Sequence, residues 1–238
     1  MYQGAPLGPP NDPDFRDFPS DPFDPLGGAT SGHHNVVFKS LLGWITQPKE
    51  VRTVTEDGSY RIGPLEARGQ ETYALRVRRP ISEREQWIWL EFRQPIGFDG
   101  NLNPTTWPHV PIDHVYNGAL LRLVDRGPYG WRNDRPRLID FTPQSAGSGI
   151  EFRVGDFWDA ALQSGDSWSD PYSNLTIRIG DVGPSGLNAE VSYDEVCVSE
   201  VSSDLVRLSP MAQRFRVEVL SRANCSWQPQ THSDWIEN

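Results

Sequence analysis

The stretch Gln86–Gly100, QWIWLEFRQPIGFDG, leaves this chain the fewest structural choices. Period-two alternation puts Ile88, Leu90 and Phe92 on one face of a strand and Trp87, Trp89, Glu91 and Arg93 on the other. A strand with one apolar face and one aromatic and charged face belongs inside a sheet, not at its edge. Pro95 has no N–H to offer a ladder, so pairing ends there, and Gly97 with Asp99-Gly100 turns the chain. Just upstream, Tyr73–Arg79 alternates Tyr73, Leu75 and Val77 against Ala74, Arg76 and Arg78. The two runs predict a hairpin joined by the polar loop Pro80–Gln86. Glu91 then falls beside Arg76, Arg78 and Arg93, which reads as a structural ion pair across strands. One acid among arginines lacks the second acid, nucleophile or metal ligand that catalysis needs.

The same alternation recurs in Ile150/Phe152/Val154, Leu175/Ile177/Ile179 and Phe215/Val217/Val219. Further strands are expected at Val51–Thr55, Ser59–Ile62, Gly118–Asp125, Arg137–Phe141 and Ala189–Tyr193. With 21 Gly, 21 Pro and 26 aromatic residues in 238, many short strands and many turns are the natural outcome. One helical turn near Asp156–Gln163 interrupts them. The long loop Ile96–Asn117 holds Trp107, His109 and His114 among prolines, an arrangement suited to aromatic packing over a sheet end.

Two segments precede the strands. Residues 1–31 form an arm with prolines at 6, 9, 10, 13, 19, 22 and 25 and acids at 12, 14, 17, 21 and 24. Proline at that density excludes helix and sheet. Phe15, Phe18 and Phe23 are spaced so that an extended arm can press them onto a surface, and they are the candidate partner-binding residues. The arm's acids lack the spacing and glycine of a calcium loop, so no metal is assigned to them. Residues 32–46 carry the predicted helix, about Gly32–Trp44. Val37, Leu41 and Trp44 make its apolar stripe, Phe38 and Leu42 broaden it, and Ser31 serves as cap. His33 and His34 are adjacent and face different directions, unlike two histidines at i and i+4, so no ligand role is assigned to them.

Charge and motifs narrow the function classes. A net charge of −10 argues against nucleic acid, which wants a basic face. No apolar run approaches the roughly 20 residues of a membrane span, and Met1-Tyr2-Gln3-Gly4 does not begin a signal peptide. H-E-x-x-H, G-x-S-x-G, Walker and dinucleotide signatures are all missing from the sequence. No cofactor is expected. Cys197 and Cys225 are either one bridge in an oxidising compartment or two buried thiols.

DPFDPLGGATSGHHNVVFKSLLGWI (Asp21–Ile45) resembles the segment that follows the zinc-binding helix in secreted metalloproteases of the gametolysin-like and immune-inhibitor-A-like group. WLEFRQPIGFDG (Trp89–Gly100), NGALLRLVD (Asn117–Asp125), LIDFTP (Leu138–Pro143), DAAL (Asp159–Leu162) and SWSDPYSNLTIRIGDV (Ser167–Val182) continue the likeness in order. RVEVLSRANCSW (Arg216–Trp227) is similar to the first strand and cysteine of a further sandwich module in such proteins. The resemblance implies export, and in an exported protein a Cys197–Cys225 bridge would tie the last strand to the sheet, adding roughly 2–4 kcal/mol. The departures matter more. The family's zinc helix belongs upstream of Asp21, where only twenty residues stand; Leu26 replaces the methionine of the turn beneath the zinc, and His34 replaces a phenylalanine. Neither a ligand triad nor a general-base glutamate is carried over.

The expectation is an all-β, antiparallel, jelly-roll-like sandwich over residues 47–210. The proline-rich arm and one docked helix precede it, and a C-terminal strand and tail follow at 211–238. Its expected role is non-catalytic: an extrinsic, scaffold-like subunit descended from a metalloprotease accessory domain and bound to another protein, extracytoplasmic if the resemblance holds. A processed piece of an active protease and a carbohydrate-binding module are the alternatives.

Overall fold

The computed structural model describes residues 21–27, 32–69, 71–80, 85–102, 113–126, 136–142, 157–170, 173–193, 200–201 and 219–220. The chain divides into two compact units, Met1–Asp194 and Glu195–Asn238. In the second, Glu200–Val201 and Val219–Leu220 form a short antiparallel pair. The rest of this section concerns the first.

Its strands are β1 (Val51–Val54), β2 (Gly58–Ile62), β3 (Ala74–Arg79), β4 (Glu85–Phe92), β5 (Gly118–Arg126), β6 (Arg137–Leu138), β7 (Leu162–Gln163), β8 (Ser167–Ser169), β9 (Leu175–Gly183) and β10 (Gly186–Tyr193). The first sheet runs β1-β3-β4-β5-β6, with β7 also pairing β5, and the second runs β2-β10-β9-β8. β3 and β4 form the expected hairpin in the register Leu75↔Leu90 and Val77↔Ile88. β4 also pairs β5 along its whole length, so it is an interior strand. β1 and β3 run parallel. Between them the chain crosses to the second sheet to make β2, and one such excursion returns it in its starting direction.

Between the sheets lies the main core. Leu75, Val77, Ile88, Leu90, Phe92, Leu121 and Leu123 from the first sheet meet Ile62, Leu175, Ile177, Ile179, Leu187 and Val191 from the second. The alternation that predicts Ile88, Leu90 and Phe92 as the apolar face of β4 is met by the structure. Arg79 continues the inward parity of Leu75 and Val77 to the end of the sandwich, where it is buried. Its guanidinium clasps Asp170, just past β8, through Nε–Oδ2 at 2.5 Å and Nη2–Oδ1 at 2.9 Å. Gln86 Oε1 accepts from Nη1 at 2.8 Å. A charged side chain can face inward there because a planar, two-pronged partner satisfies it.

The outer face of the first sheet is also covered, by two smaller apolar clusters. Val36, Val37, Ile45, Val51, Leu65, Ala74, Trp87, Trp89 and Val124 form one of them. Phe23, Leu102, Val115, Leu120, Leu138, Phe157 and Trp158 belong to the other. A helix, α1 (Val36–Leu41), lies in the first cluster, and a single-turn helix, α2 (Asp113–Tyr116), supplies Val115 to the second.

α1 is shorter than its sequence pattern predicts. Asn35, not Ser31, caps it, its Oδ1 accepting from Phe38 N–H at 3.1 Å. Residues 33–35 stay outside the helix because carboxylates hold their backbone. His33 N–H donates to Asp99 Oδ1 at 2.9 Å and Asn35 N–H to Asp24 Oδ2 at 2.6 Å. At the other end Gly43, at φ 73°, closes the helix. Its N–H reaches Ser40 O at 3.1 Å and Trp44 N–H reaches Lys39 O at 2.9 Å, a Schellman closure. With six residues the stripe Val37/Leu41/Trp44 never forms; Val36 and Val37 are buried while Leu41 and Trp44 are exposed. The helical turn expected near Asp156–Gln163 is a turn at Phe157–Asp159 followed by β7. The expected strand Ile150–Val154 lies outside the described residues, as does most of Gln213–Leu220.

Candidate protein-interaction surface

Beneath residues 21–27 and 32–42, the outer face of β4 and β5, with Arg93 just past the end of β4, bears three ionised side chains that are wholly buried: Glu91, Arg93 and Arg122. Register explains their meeting. Arg122 stands opposite Trp89, which makes it the diagonal neighbour of Glu91 on the same face, and Arg93 follows Glu91 by two residues. Glu91 Oε1 lies 2.8 Å from Arg93 Nε and 2.8 Å from Arg122 Nη1. Glu91 Oε2 accepts the Val36 N–H at 2.7 Å, a charge-assisted bond at the start of α1. Arg76 and Arg78, expected beside Glu91, do not reach it. Arg76 pairs with Glu85 at 3.1 Å and lies over the Trp87 ring at 3.6 Å, and Arg78 is exposed.

Residues 21–39, with Glu66 and Asp99 from the loops after β2 and β4, supply the remaining charges. Asp21 Oδ2 meets Arg122 Nε at 2.6 Å, and Arg93 Nη1 meets Asp99 Oδ1 at 3.1 Å and His33 O at 3.1 Å. Asp24 holds Asn35 N–H and also stands 3.3 Å from His34 Nδ1. Lys39 is ion-paired with Glu66, whose other oxygen lies 3.1 Å from His33 Nε2. Burial alone would raise the Glu91 carboxyl, but the Arg122 and Arg93 guanidiniums and the Val36 N–H overcome it and hold the group at about 2. Burial pushes the His33 imidazole down and the Glu66 carboxyl up, the latter against the pull of Lys39. The segments that meet here are 21–27, 32–42, 91–100 and 118–122. Their charged residues are consumed by one another.

What the network supports is an exposed ledge. Leu41 is 64 % exposed, Leu42 55 %, Trp44 62 % and Phe98 68 %. The two histidines brace its ends. The His33 ring meets Phe98 edge-on at 5.0 Å, and the His34 ring lies 5.9 Å from that of Trp44. Beside the ledge a cavity of about 80 Å³ opens between α1 and the sheet, lined by Val37, Ser40, Leu41, Arg76, Trp87 and Trp89, among others. Large apolar groups are thus exposed at the end of α1 and, separately, on the turn that carries Phe98, the kind of surface that can take a partner.

The residues singled out from the sequence fall elsewhere or in other roles. Phe23 is fully buried, its ring edge-to-face on Trp158 at 5.2 Å, so in the folded unit it belongs to its own core and not to a free surface. Phe15, Phe18, Cys197 and Cys225 lie outside the described residues. Among the described residues there is no group of three or more His, Cys, Asp or Glu that could hold a metal ion. None of their helices is long and apolar enough to cross a membrane. The ledge escaped sequence reasoning because Leu41 and Trp44 fit a buried stripe. Arg122 had a visible signal, a lone cation in the apolar run Ala119–Val124. Comparison of the chain with protein families, curated proteins and solved structures finds no match.

Proposed function

We propose that this protein is a non-catalytic, protein-binding β-sandwich that docks onto a larger partner through the ledge Leu41–Leu42–Trp44 and Phe98. The observation that carries this reading is the exposure of those four side chains, 55–68 %, on a base whose charges are buried and paired. Four large apolar groups held in water are a standing cost unless a partner covers them. The buried paired acids favour a structural reading over an enzymatic one: Glu91 is sealed from solvent and held ionised by two arginines, which suits neither a general acid nor an accessible base. Of the described tryptophans, Trp87 is covered by Arg76, and Trp89 and Trp158 are buried, so these three offer no face to a sugar ring. Descent from a metalloprotease accessory domain is supported by the order of the sequence motifs alone.

The test is site-specific photocrosslinking in the cells that make the protein. A crosslinker at Leu41 should yield one discrete adduct with a second protein, and Trp44→Ser should abolish it. The same crosslinker at Arg178, on the second sheet and 51 % exposed at its side chain, should yield none. An adduct of the chain with itself would make the ledge a homodimer face, and equal labelling from both positions would remove the docking reading.

A further inference from the structure

The Nε2 atom of His33 is claimed twice. Phe98 N–H donates to it at 3.2 Å, and Glu66 Oε2 stands 3.1 Å away. An imidazole nitrogen makes one hydrogen bond in the ring plane, accepting when bare and donating when protonated. The two neighbours therefore make opposite demands. A bare Nε2 suits Phe98 but faces the Glu66 carboxylate lone pair to lone pair. A single proton on the Oε2–Nε2 line, resting on either atom, turns that repulsion into a hydrogen bond and leaves Phe98 N–H without its acceptor. The backbone of His33 stays out of the choice. Its N–H donates to Asp99 Oδ1 at 2.9 Å and its carbonyl accepts from Arg93 Nη1 at 3.1 Å, whichever way the ring bonds. Gly97, at φ 62°, lets the turn Gly97–Asn101 lie against the ring; a β-carbon at residue 97 would stand 3.1 Å from Nε2.

We infer that His33 and Glu66 form a one-proton latch on the turn Gly97–Asn101, which carries Phe98. Without the proton the latch is closed: the turn is bonded to the imidazole, and the Phe98 ring meets it edge-on at 5.0 Å. With the proton the imidazole bonds Glu66 and the turn loses that tie. The surrounding charges set where this happens. Lys39 on α1 is paired with Glu66 Oε1, Asp99 faces His33 from the turn, Arg93 from the end of β4, and His34 adjoins it in the chain. Both members of the pair are mostly buried. Burial lowers the imidazole below its ordinary 6.5, Lys39, Arg93 and His34 acting with it and Asp99 against it. Burial also raises the Glu66 carboxyl above 4.5, against the pull of Lys39. The two groups are thereby drawn together in proton affinity, so one proton serves both. It enters as the pH falls from the first value towards the second, a range in which Glu91, held at about 2, stays ionised. Phe98 is 68 % exposed, so the latch ties the presentation of an exposed aromatic to mild acidity.

The latch goes beyond the docking reading, and its test uses the full chain alone. The chain, labelled with nitrogen-15, is followed by NMR from well above pH 6.5 down to pH 4.5. At the upper end a scalar coupling across the N–H···N bond should connect Phe98 N with His33 Nε2. The coupling should vanish on acidification, and the Phe98 amide should shift with the same midpoint as the His33 ring nitrogens. Amides of β9 and β10 should not move at that midpoint, which separates the latch from acid unfolding. In Glu66→Ala the carboxylate is gone and Lys39 stands unopposed, so the coupling should persist to lower pH than in the natural chain. The latch is overturned if the coupling is missing at the upper end or survives to the lower one. It is equally overturned if Glu66→Ala loses the coupling at the same pH as the natural chain. Should that variant fail to fold, the coupling in the natural chain decides. A failed latch leaves the crosslinking result from Leu41 standing, and a failed crosslink leaves the latch standing.

Discussion

Glu91 illustrates how a single residue is held by its surroundings. A carboxylate this deep is tolerated because two guanidiniums and the Val36 N–H surround it, 2.7–2.8 Å away. Glu91→Gln keeps the shape and removes the charge, leaving Arg93 and Arg122 buried with only Asp99 and Asp21 to offset them. The expected loss is about 3–5 kcal/mol in denaturant unfolding. The pH dependence follows from the depressed carboxyl. Its group sits at about 2 in the folded chain against an ordinary 4.5, so the folded state binds the proton less readily than the unfolded one. Its contribution is complete above pH 4.5 and is lost progressively as the pH falls towards 2. Stability of the natural chain should fall across that window, and the Glu91→Gln curve should be flatter there. Parallel curves would mean that the carboxyl is not ionised in the folded protein.

At the scale of elements, β4 was legible from alternation alone, since each of its faces meets a different environment. Leu90 points into the core between the sheets, flanked by Leu75 and Leu121 in register. Leu90→Ala should cost roughly 2–5 kcal/mol, because neighbours on both sides hinder collapse into the cavity. Arg78, exposed on the neighbouring strand, should cost under about 1 kcal/mol when truncated. Equal losses in urea unfolding would contradict the assignment of faces. Other elements resisted reading for physical reasons. α1 looked longer because apolar residues continue past Leu41, yet the carboxylates of Asp24 and Asp99 hold residues 33–35 extended, and Gly43 ends the helix. Such long-range restraints leave no periodic trace in a sequence. β7 and β8 are too short for alternation to register. The Arg79–Asp170 clasp joins residues 91 apart in the chain, and nothing local to either announces it. The ledge was missed for the same reason as the helix boundary, because an apolar residue carries no mark of which side it will face.

Over the whole first unit, the segment Asp21–Gly27 acts as a strap across the outer face of the first sheet. Asp21 takes Arg122, Phe23 fills a slot against Trp158, and Asp24 holds the backbone that leads into α1. The strap therefore joins the two apolar clusters on that face to the ionic layer between them. Without it, Arg122 loses its strongest bond, a buried aromatic leaves a cavity, and residues 33–35 lose one of their two carboxylate anchors. Loss of Phe23 alone is comparable to a Phe→Ala change in a core, about 3–5 kcal/mol. A chain starting at Asp21 serves as the reference, and a chain starting at residue 28 removes the strap. The shorter chain should unfold at lower urea by at least that free energy. Its amide protons should exchange faster at α1 and in the outer-face residues of β4 and β5 than in β9 and β10, which the strap does not touch. The ledge stands on α1, so crosslinking from Leu41 should fall together with this protection. If the chain from residue 28 matches the reference in both stability and exchange, the strap is an ornament on the sheet. The ledge must then owe its order to the sheet alone.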